Sequence, residues 1–220
     1  MQHHLTSDAI NQYSESITSP ETETLKKLNR ETHAKIAMPI MLSGHLQGAL
    51  LAMLSKMIQP KRILEIGTYT GYSAICLAQG LTAEGKLYTI DINEELADMC
   101  THYWQEAGLQ EKIIPYIGPA ADIIPTIPES FDLVFIDADK QGYAQYFDLI
   151  IDRLKAGAYI FADNVLYDVE VILPDTEKSK NGKAICAFNE KIKNDPRVEQ
   201  VLVPIRDGLL VMRKLEVNKP

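Results

Sequence analysis

The chain has 220 residues, 46% apolar and 24% charged, a balance that can bury a sizeable core and suits one domain spanning residues 1–220. Lys and Arg number 22 against 30 Asp and Glu, a formal charge of −8; with no long basic run, this gives no electrostatic footprint for nucleic acid or an anionic membrane. No apolar run approaches the ~18 residues of a membrane span. Met1-Gln2-His3-His4-Leu5 has neither the basic region nor the apolar core of a signal peptide. Three scattered cysteines, Cys76, Cys100 and Cys186, fit buried thiols in a reducing compartment, so the expected location is cytoplasmic.

Residues 1–58 read as a helical part. From residue 5 to about 36 the pattern is helical, with Ser7-Asp8 as one cap and Ser19-Pro20-Glu21 opening a second helix, in which Leu25, Leu28 and Thr32 repeat at helical spacing. Met38-Pro39 breaks it. A third helix, Leu46 to Ile58, is apolar on most sides and is expected to be buried before Pro60 ends it. This part suits a lid, a dimer surface or both.

Residues 62–214 alternate between strands and helices. Strands are expected at Ile63–Ile66, Leu87–Ile90, Ile113–Ile117, Phe131–Ile136 and Ala158–Ala162. Between them lie helices at Ser73–Gln79, Glu94–Glu106, Pro119–Ile124 and Tyr143–Leu154. A polar loop over 165–180 precedes a helix at Ala184–Ile192. Val198–Pro204 and Leu209–Arg213 flank the turn signal Arg206-Asp207-Gly208. The fold class is therefore α/β: a doubly wound, mostly parallel seven-stranded sheet with one antiparallel edge strand from the C-terminal hairpin and extra N-terminal helices.

The stretch Leu64-Glu65-Ile66-Gly67-Thr68-Tyr69-Thr70-Gly71-Tyr72-Ser73 reads as strand, glycine turn and helix, which is where ligands bind in an open α/β sheet. Its spacing is E-x-G-x-x-x-G, so the dinucleotide fingerprint is not met. A carboxylate beside the turn is unfavourable for a pyrophosphate and suits a cationic or hydroxyl-rich ligand. An ordinary glycine-containing turn is the competing reading. Four strands end at or near an acid: Glu65, Asp91, Asp137 and Asp163. In a parallel sheet those ends share one edge. Asp91 lies 24 residues after Gly67, where a carboxylate commonly accepts hydrogen bonds from a ribose. Together these features suit a nucleoside bearing positive charge.

Asp137-Ala138-Asp139-Lys140 and Asp163-Asn164 supply hard oxygen ligands of the kind that suit Mg²⁺, Ca²⁺ or Mn²⁺. Strand neighbours point to opposite faces, so Asp163 and Asn164 can share an ion only if the backbone is already turning there. Spacing does not choose between Asp137 and Asp139, and the alternative is a turn at Asp163-Asn164 with Asp139 as a helix cap. Beside a divalent cation Lys140 would have a lowered pKa and could serve as a base; otherwise it is a surface lysine paired with Asp139. The histidines at 3, 4, 33, 45 and 102 form no ligand spacing.

Taken together, Leu64–Ala74, Phe135–Lys140 and Ala162–Asn164 resemble the class I S-adenosylmethionine-dependent methyltransferases, and more closely the cation-dependent O-methyltransferases of the caffeoyl-CoA and catechol group. The resemblance runs from about Met41 to Arg213. It implies that Glu65, Gly67, Thr68, Tyr69 and Ser73 line the methionine and ribose side, that Asp91 holds the ribose, that Ala120 meets the adenine, and that Met41 and Ser43 close over the cofactor. It implies Asp137, Asp163 and Asn164 as metal ligands, which selects Asp137 over Asp139, with Lys140 as the base. Asp139, Lys140 and Asp168 would face the acceptor, a small aromatic molecule with vicinal hydroxyls, and the protein would be a homodimer. Tyr167-Asp168 stands where the plant pattern has Trp-Asn, and Gln2 where it has a basic residue; both positions concern the acceptor. Two other classes compete: a nucleoside-binding regulatory protein without turnover and an NAD-dependent oxidoreductase.

Overall fold

The computed structural model describes residues 7–216, so Gln2 and the expected helix start at residue 5 lie outside the described residues. Seven strands form one sheet in the order β3-β2-β1-β4-β5-β7-β6. They are β1 (Arg62–Ile66), β2 (Lys86–Asp91), β3 (Ile113–Ile117), β4 (Leu133–Ile136), β5 (Tyr159–Ala162), β6 (Val198–Val203) and β7 (Leu209–Lys214). The first five are parallel. β7 is antiparallel both to β5 and to β6, so the hairpin supplies the antiparallel element at that end, with β6 outermost.

Period-2 alternation builds a core on each face. Leu64, Ile66, Val134 and Ile136 point to the side covered by α6 (Ala120–Ile123), α7 (Tyr143–Ile151) and α8 (Lys180–Lys193). Ile63, Leu87, Leu133 and Phe135 point to the other side. There they meet α2 (Glu23–Lys35), α3 (Gly44–Ile58), α4 (Tyr72–Ala78) and α5 (Ala97–Glu106). The order reverses between β1 and β4, the switch point at which such sheets open a crevice.

Several expected boundaries move. Ser7 caps α1 (Asp8–Ile17) as expected, but α2 opens at Thr22 rather than Ser19-Pro20-Glu21. The Thr22 hydroxyl accepts from the Leu25 amide at 3.3 Å, while Glu21 turns away to accept from the Tyr72 hydroxyl at 2.6 Å. Helix α3 is not buried all round: Gln47, Gly48, Leu51, Ala52 and Ser55 face inward, and Met53 and Met57 are exposed. β4 begins at Leu133 rather than Phe131. The loop over 165–180 contains a short 3₁₀ turn, Glu170–Ile172. α8 starts ahead of Ala184 because Ser179 caps it and is itself held by Glu170. Cys76 and Cys100 are buried free thiols, whereas Cys186 is only half-buried.

The glycine turn after β1 is the tightest point of the fold. Gly67 has φ +100°, and a Cβ there would sit 1.9 Å from the Asp137 carbonyl oxygen. Gly67→Ala should therefore destabilise the protein by roughly 3 kcal/mol, combining left-handed strain with a backbone clash. Urea unfolding would show it; an unchanged midpoint would mean that β1 and β4 do not approach so closely.

Candidate active site

A cleft of about 1510 Å³ opens above the carboxyl ends of the strands, with the segment 36–43 crossing it. Met41, Ser43, Gly67, Thr68, Tyr69, Ser73, Asp91 and Ala120 line it, as do Asp137, Asp139, Lys140, Asp163, Asn164 and Asp168. Sequence reasoning thus gathered residues from seven separate segments that the fold brings to one crevice. Glu65 is the exception. It is fully buried beneath the floor, with its carboxylate accepting hydrogen bonds from Ser73 Oγ at 2.7 Å and Thr89 Oγ1 at 2.5 Å. The reason is face parity: Glu65 shares its face with Ile63, under α4, and Thr89 is its register partner on β2.

At one end Asp91 organises the glycine turn. Its Oδ2 accepts from the Thr68 and Tyr69 amides at 2.9 and 2.8 Å, and its Oδ1 from the Asn93 amide at 2.9 Å. A carboxylate expected to meet a ribose is here part of the turn's own frame. Tyr69, at φ +48°, sends its hydroxyl across the cleft to donate to the Met38 carbonyl at 2.9 Å. Gly118, Pro119 and Ala120, beyond β3, form the far wall.

At the other end two carboxylates and a lysine crowd together. Lys140 is half-buried; its Nζ donates to Asp137 Oδ1 at 3.0 Å and to the Tyr143 hydroxyl at 2.8 Å. Burial alone would lower its pKa, but the Tyr143 oxygen and the Asp137 carboxylate outweigh that and hold the ammonium charged. The alternative pairing of Lys140 with Asp139 is not what this arrangement gives, since the ammonium meets Asp137 and Tyr143 instead; the lowered pKa is an expectation for the site with a divalent cation beside it. Asp163 is pushed up to about 6, by burial first and then by the neighbouring Asp137 charge. Gln47 Nε2 reaches its Oδ2 at 2.6 Å, and the Asn164 amide its Oδ1 at 2.8 Å. Asn164 has φ +55°, so the backbone does turn at Asp163-Asn164 as a shared ligand pair requires. Asp139 caps the turn into α7 by accepting from the Gly142 amide at 2.9 Å, and it also accepts from the Tyr146 hydroxyl.

The oxygen donors at this end are two carboxylates and the Asn164 amide. Among the described residues no three His, Cys, Asp or Glu side chains gather closely enough to hold a metal by themselves. The set is hard and anionic, of the kind a divalent cation prefers, and its mutual repulsion is what such an ion relieves.

Sequence reasoning missed Gln47, Tyr143, Tyr146, Thr89, Arg206 and Asp207. Gln47 and Thr89 carried a faint signal, each being a polar residue at an inward position of an apolar element. Arg206 and Asp207 were absorbed into a turn motif. Asp207 lines the cleft, is pushed up by burial, and accepts from the Asp168 amide at 2.6 Å.

Comparison with known proteins agrees across nearly the whole chain. A family model described as O-methyltransferase matches residues 14–215. Caffeoyl-CoA O-methyltransferase of Eucalyptus gunnii is 35% identical over 226 aligned residues, covering 97% of this chain and 90% of that protein. The enzyme of the same name from Mesembryanthemum crystallinum is 36% identical, covering 96% and 88%. Among solved structures, the O-methyltransferase from Bacillus cereus in complex with SAH superposes with a TM-score of 0.85 at 31% identity, covering 94% of this chain and 97% of that one. The O-methyltransferase TomG from Streptomyces achromogenes, in complex with SAM, gives 0.87 at 29% identity, covering 98% and 100%.

The buried Glu65 yields a test independent of catalysis. Burial raises its carboxyl to about 8, opposed only in part by the Ser73 and Thr89 hydroxyls. An acid raised on folding stabilises the fold fully below its unfolded value, near 4.5, and progressively less as pH rises through about 8. Glu65→Gln should therefore flatten a loss of a few kcal/mol between those pH values. Thermal unfolding of both proteins across that window measures it; parallel pH profiles would show that Glu65 ionises freely in the folded state.

Proposed function

We propose that this chain, which belongs to the O-methyltransferase family, moves the methyl group of S-adenosylmethionine to one hydroxyl of an aromatic vicinal diol, with a divalent cation at Asp137, Asp163 and Asn164. The family match and the relatives bound to SAM and SAH support methyl transfer from this donor over the NAD-dependent and non-catalytic readings. The observation that carries the acceptor and the cation is the crowding of Asp137, Asp163 and Lys140 directly beyond the glycine turn.

The donor's sulfonium suits a cleft rich in carboxylates. Asp91 takes the ribose hydroxyls while keeping the turn closed, Gly118, Pro119 and Ala120 flank the adenine, and Gly67, Thr68, Tyr69 and Ser73 border the methionine. Met41 and Ser43 cover it from above. A cation such as Mg²⁺, Ca²⁺ or Mn²⁺, held by Asp137, Asp163 and Asn164, would lower the pKa of a bound phenol from near 10. Lys140 is assigned to the same oxygen: its ammonium, fixed by Asp137 and Tyr143, steadies the phenolate as it forms. Asp139 and Asp168 border the acceptor ring. Two adjacent hydroxyls held at one place orient the attacking oxygen, and positioning supplies part of the rate.

A second copy of the chain is assigned to the face formed by α1 and α3. Ile10, Tyr13 and Ile17 form a stripe along α1, which buries no residue, and Met53 and Met57 are exposed on the neighbouring α3. An amphipathic helix with its apolar stripe in water is incomplete packing. Tyr13→Lys together with Met57→Lys should convert a dimer to a monomer in sedimentation; a wild-type monomer would dispose of the assignment.

Donor recognition should appear as thermal stabilisation by S-adenosylmethionine, of order 2–4 kcal/mol at large excess, with none from NAD. Transfer should stop in excess chelator and return with Mg²⁺, and Asp163→Ala should lose activity while still binding the donor. Catechol should be methylated far faster than guaiacol or phenol. Comparable initial rates on all three would refute the two-oxygen acceptor, and full activity in chelator would refute the cation.

A further inference from the structure

The turn between β6 and β7 reaches across the mouth of the cleft. Arg206 Nη1 donates to the Leu42 carbonyl at 2.7 Å and to the Ser43 carbonyl, and its Nη2 reaches the Ile40 carbonyl at 3.5 Å. These partners lie more than 160 positions away in sequence. The turn is itself stitched to the opposite rim. The Val165 amide donates to Gly208 O at 3.1 Å and the Leu166 amide to Asp207 O at 2.9 Å, while Asp168 N bonds Asp207 Oδ1.

Apart from those carbonyl bonds, two features of the position disfavour an arginine. Arg206 has φ +49°, a left-handed conformation that costs energy for any residue but glycine. Its guanidinium lies at Ser43, the residue that opens α3, where the helix dipole disfavours a positive charge. Strain and an unfavourable charge at one exposed turn point to a role outside folding. The segment it grips also needs an external hold. Over 38–43 the internal backbone bonds are Met41 N to Met38 O and Leu42 N to Pro39 O, both at 3.1 Å, and Met38, Ile40 and Met41 are about half exposed. A planar fork can hold several carbonyls at fixed spacing in a way that a lysine cannot.

We infer that Arg206 is a positioning residue for the methyl donor: it fixes the segment 40–43, and with it Met41 and Ser43, over the donor end of the cleft, tying that cover to the loop 165–168 at the acceptor end. The inference rests on the proposed reading that Met41 and Ser43 face S-adenosylmethionine. Without the clamp the cover is loose and the donor pays an ordering cost on binding, whereas Asp137 and Lys140 keep their places. The loss therefore falls on donor affinity rather than on turnover at saturation.

Arg206→Gly tests this cleanly, because glycine relieves the left-handed strain while removing the clamp. Steady-state kinetics with a catechol, calorimetric binding of S-adenosylhomocysteine and thermal unfolding would be compared for wild type, Arg206→Gly and Arg206→Lys. The glycine variant should show a donor KM and a product Kd raised on the order of tenfold, kcat at saturating donor within about twofold, and an unfolding midpoint no lower than wild type. The lysine variant should recover only a small part of the affinity. Unchanged donor KM and Kd in the glycine variant would overturn the inference, and so would a rise that appears only alongside a lowered unfolding midpoint, or full recovery by lysine. A wild-type protein that neither binds the nucleoside nor transfers a methyl group would instead sink the functional reading beneath it.

Discussion

The floor of the cleft depends on one extra rung of the parallel ladder. Beyond the end of each strand the next amide still bonds to its neighbour: Gly67 N to Ile90 O at 2.8 Å, Asp137 N to Ile66 O at 2.8 Å, Asp163 N to Ile136 O at 2.9 Å and Gly118 N to Asp91 O at 2.8 Å. Gly67, Gly118, Asp137 and Asp163 are thus placed by backbone bonds. The same rung brings the Asp137 carbonyl against Gly67 so closely that no side chain fits between them. A parallel sheet buried on both faces is rigid, and its carboxyl edge inherits that rigidity.

Rigid placement makes close like charges tolerable, at a cost. Asp163 and Glu65 are both buried acids raised well above their usual range. Lys140 offsets part of this by pairing with Asp137, and Gln47 offsets another part by donating to Asp163. What is left is a cleft that favours positive charge. Such an arrangement lowers the stability of the protein alone and raises it with a cationic ligand, the trade expected where binding shapes a site. The N-terminal helices extend this logic. Thr32 Oγ1 donates to Thr70 Oγ1 at 3.3 Å and the Tyr72 hydroxyl to Glu21, so α2 and the residues before it are anchored to the glycine turn and to α4.

Much of this was legible in the sequence because it rests on local rules. Strand ends that stop at an acid, glycines at a turn and alternation of strands with helices are short-range signals, and the seven strands and the edge they share followed from them. The turn demanded at Asp163-Asn164 came from elementary strand geometry. What stayed hidden depends on a partner far away in the chain. Glu65 is buried because Thr89 lies opposite it and α4 lies above, although counting faces from Ile63 would have given the direction. The partners of Lys140, Asp137 and Tyr143, are each three residues away, but Tyr143 is held in place by a distant one, its hydroxyl donating to the Asp163 carbonyl at 3.0 Å. Arg206 read as punctuation, since a turn motif says nothing about what lies across the cleft.

The placement of β7 has a consequence for how the chain reaches this state. β7 comes last in sequence among the strands yet pairs on both sides, with β5 through Tyr159↔Arg213 to Ala162↔Leu210 and with β6 along its whole length. Until residues 209–214 arrive, β5 exposes a bare edge whose sequence is Tyr-Ile-Phe-Ala, uncharged and without a proline. That is the composition of a self-associating strand. Damage to β7 therefore costs the sheet two strands, since β6 pairs only with β7, and leaves β5 as a bare edge; aggregation of partly folded molecules, before any loss of catalysis, is the failure this topology invites.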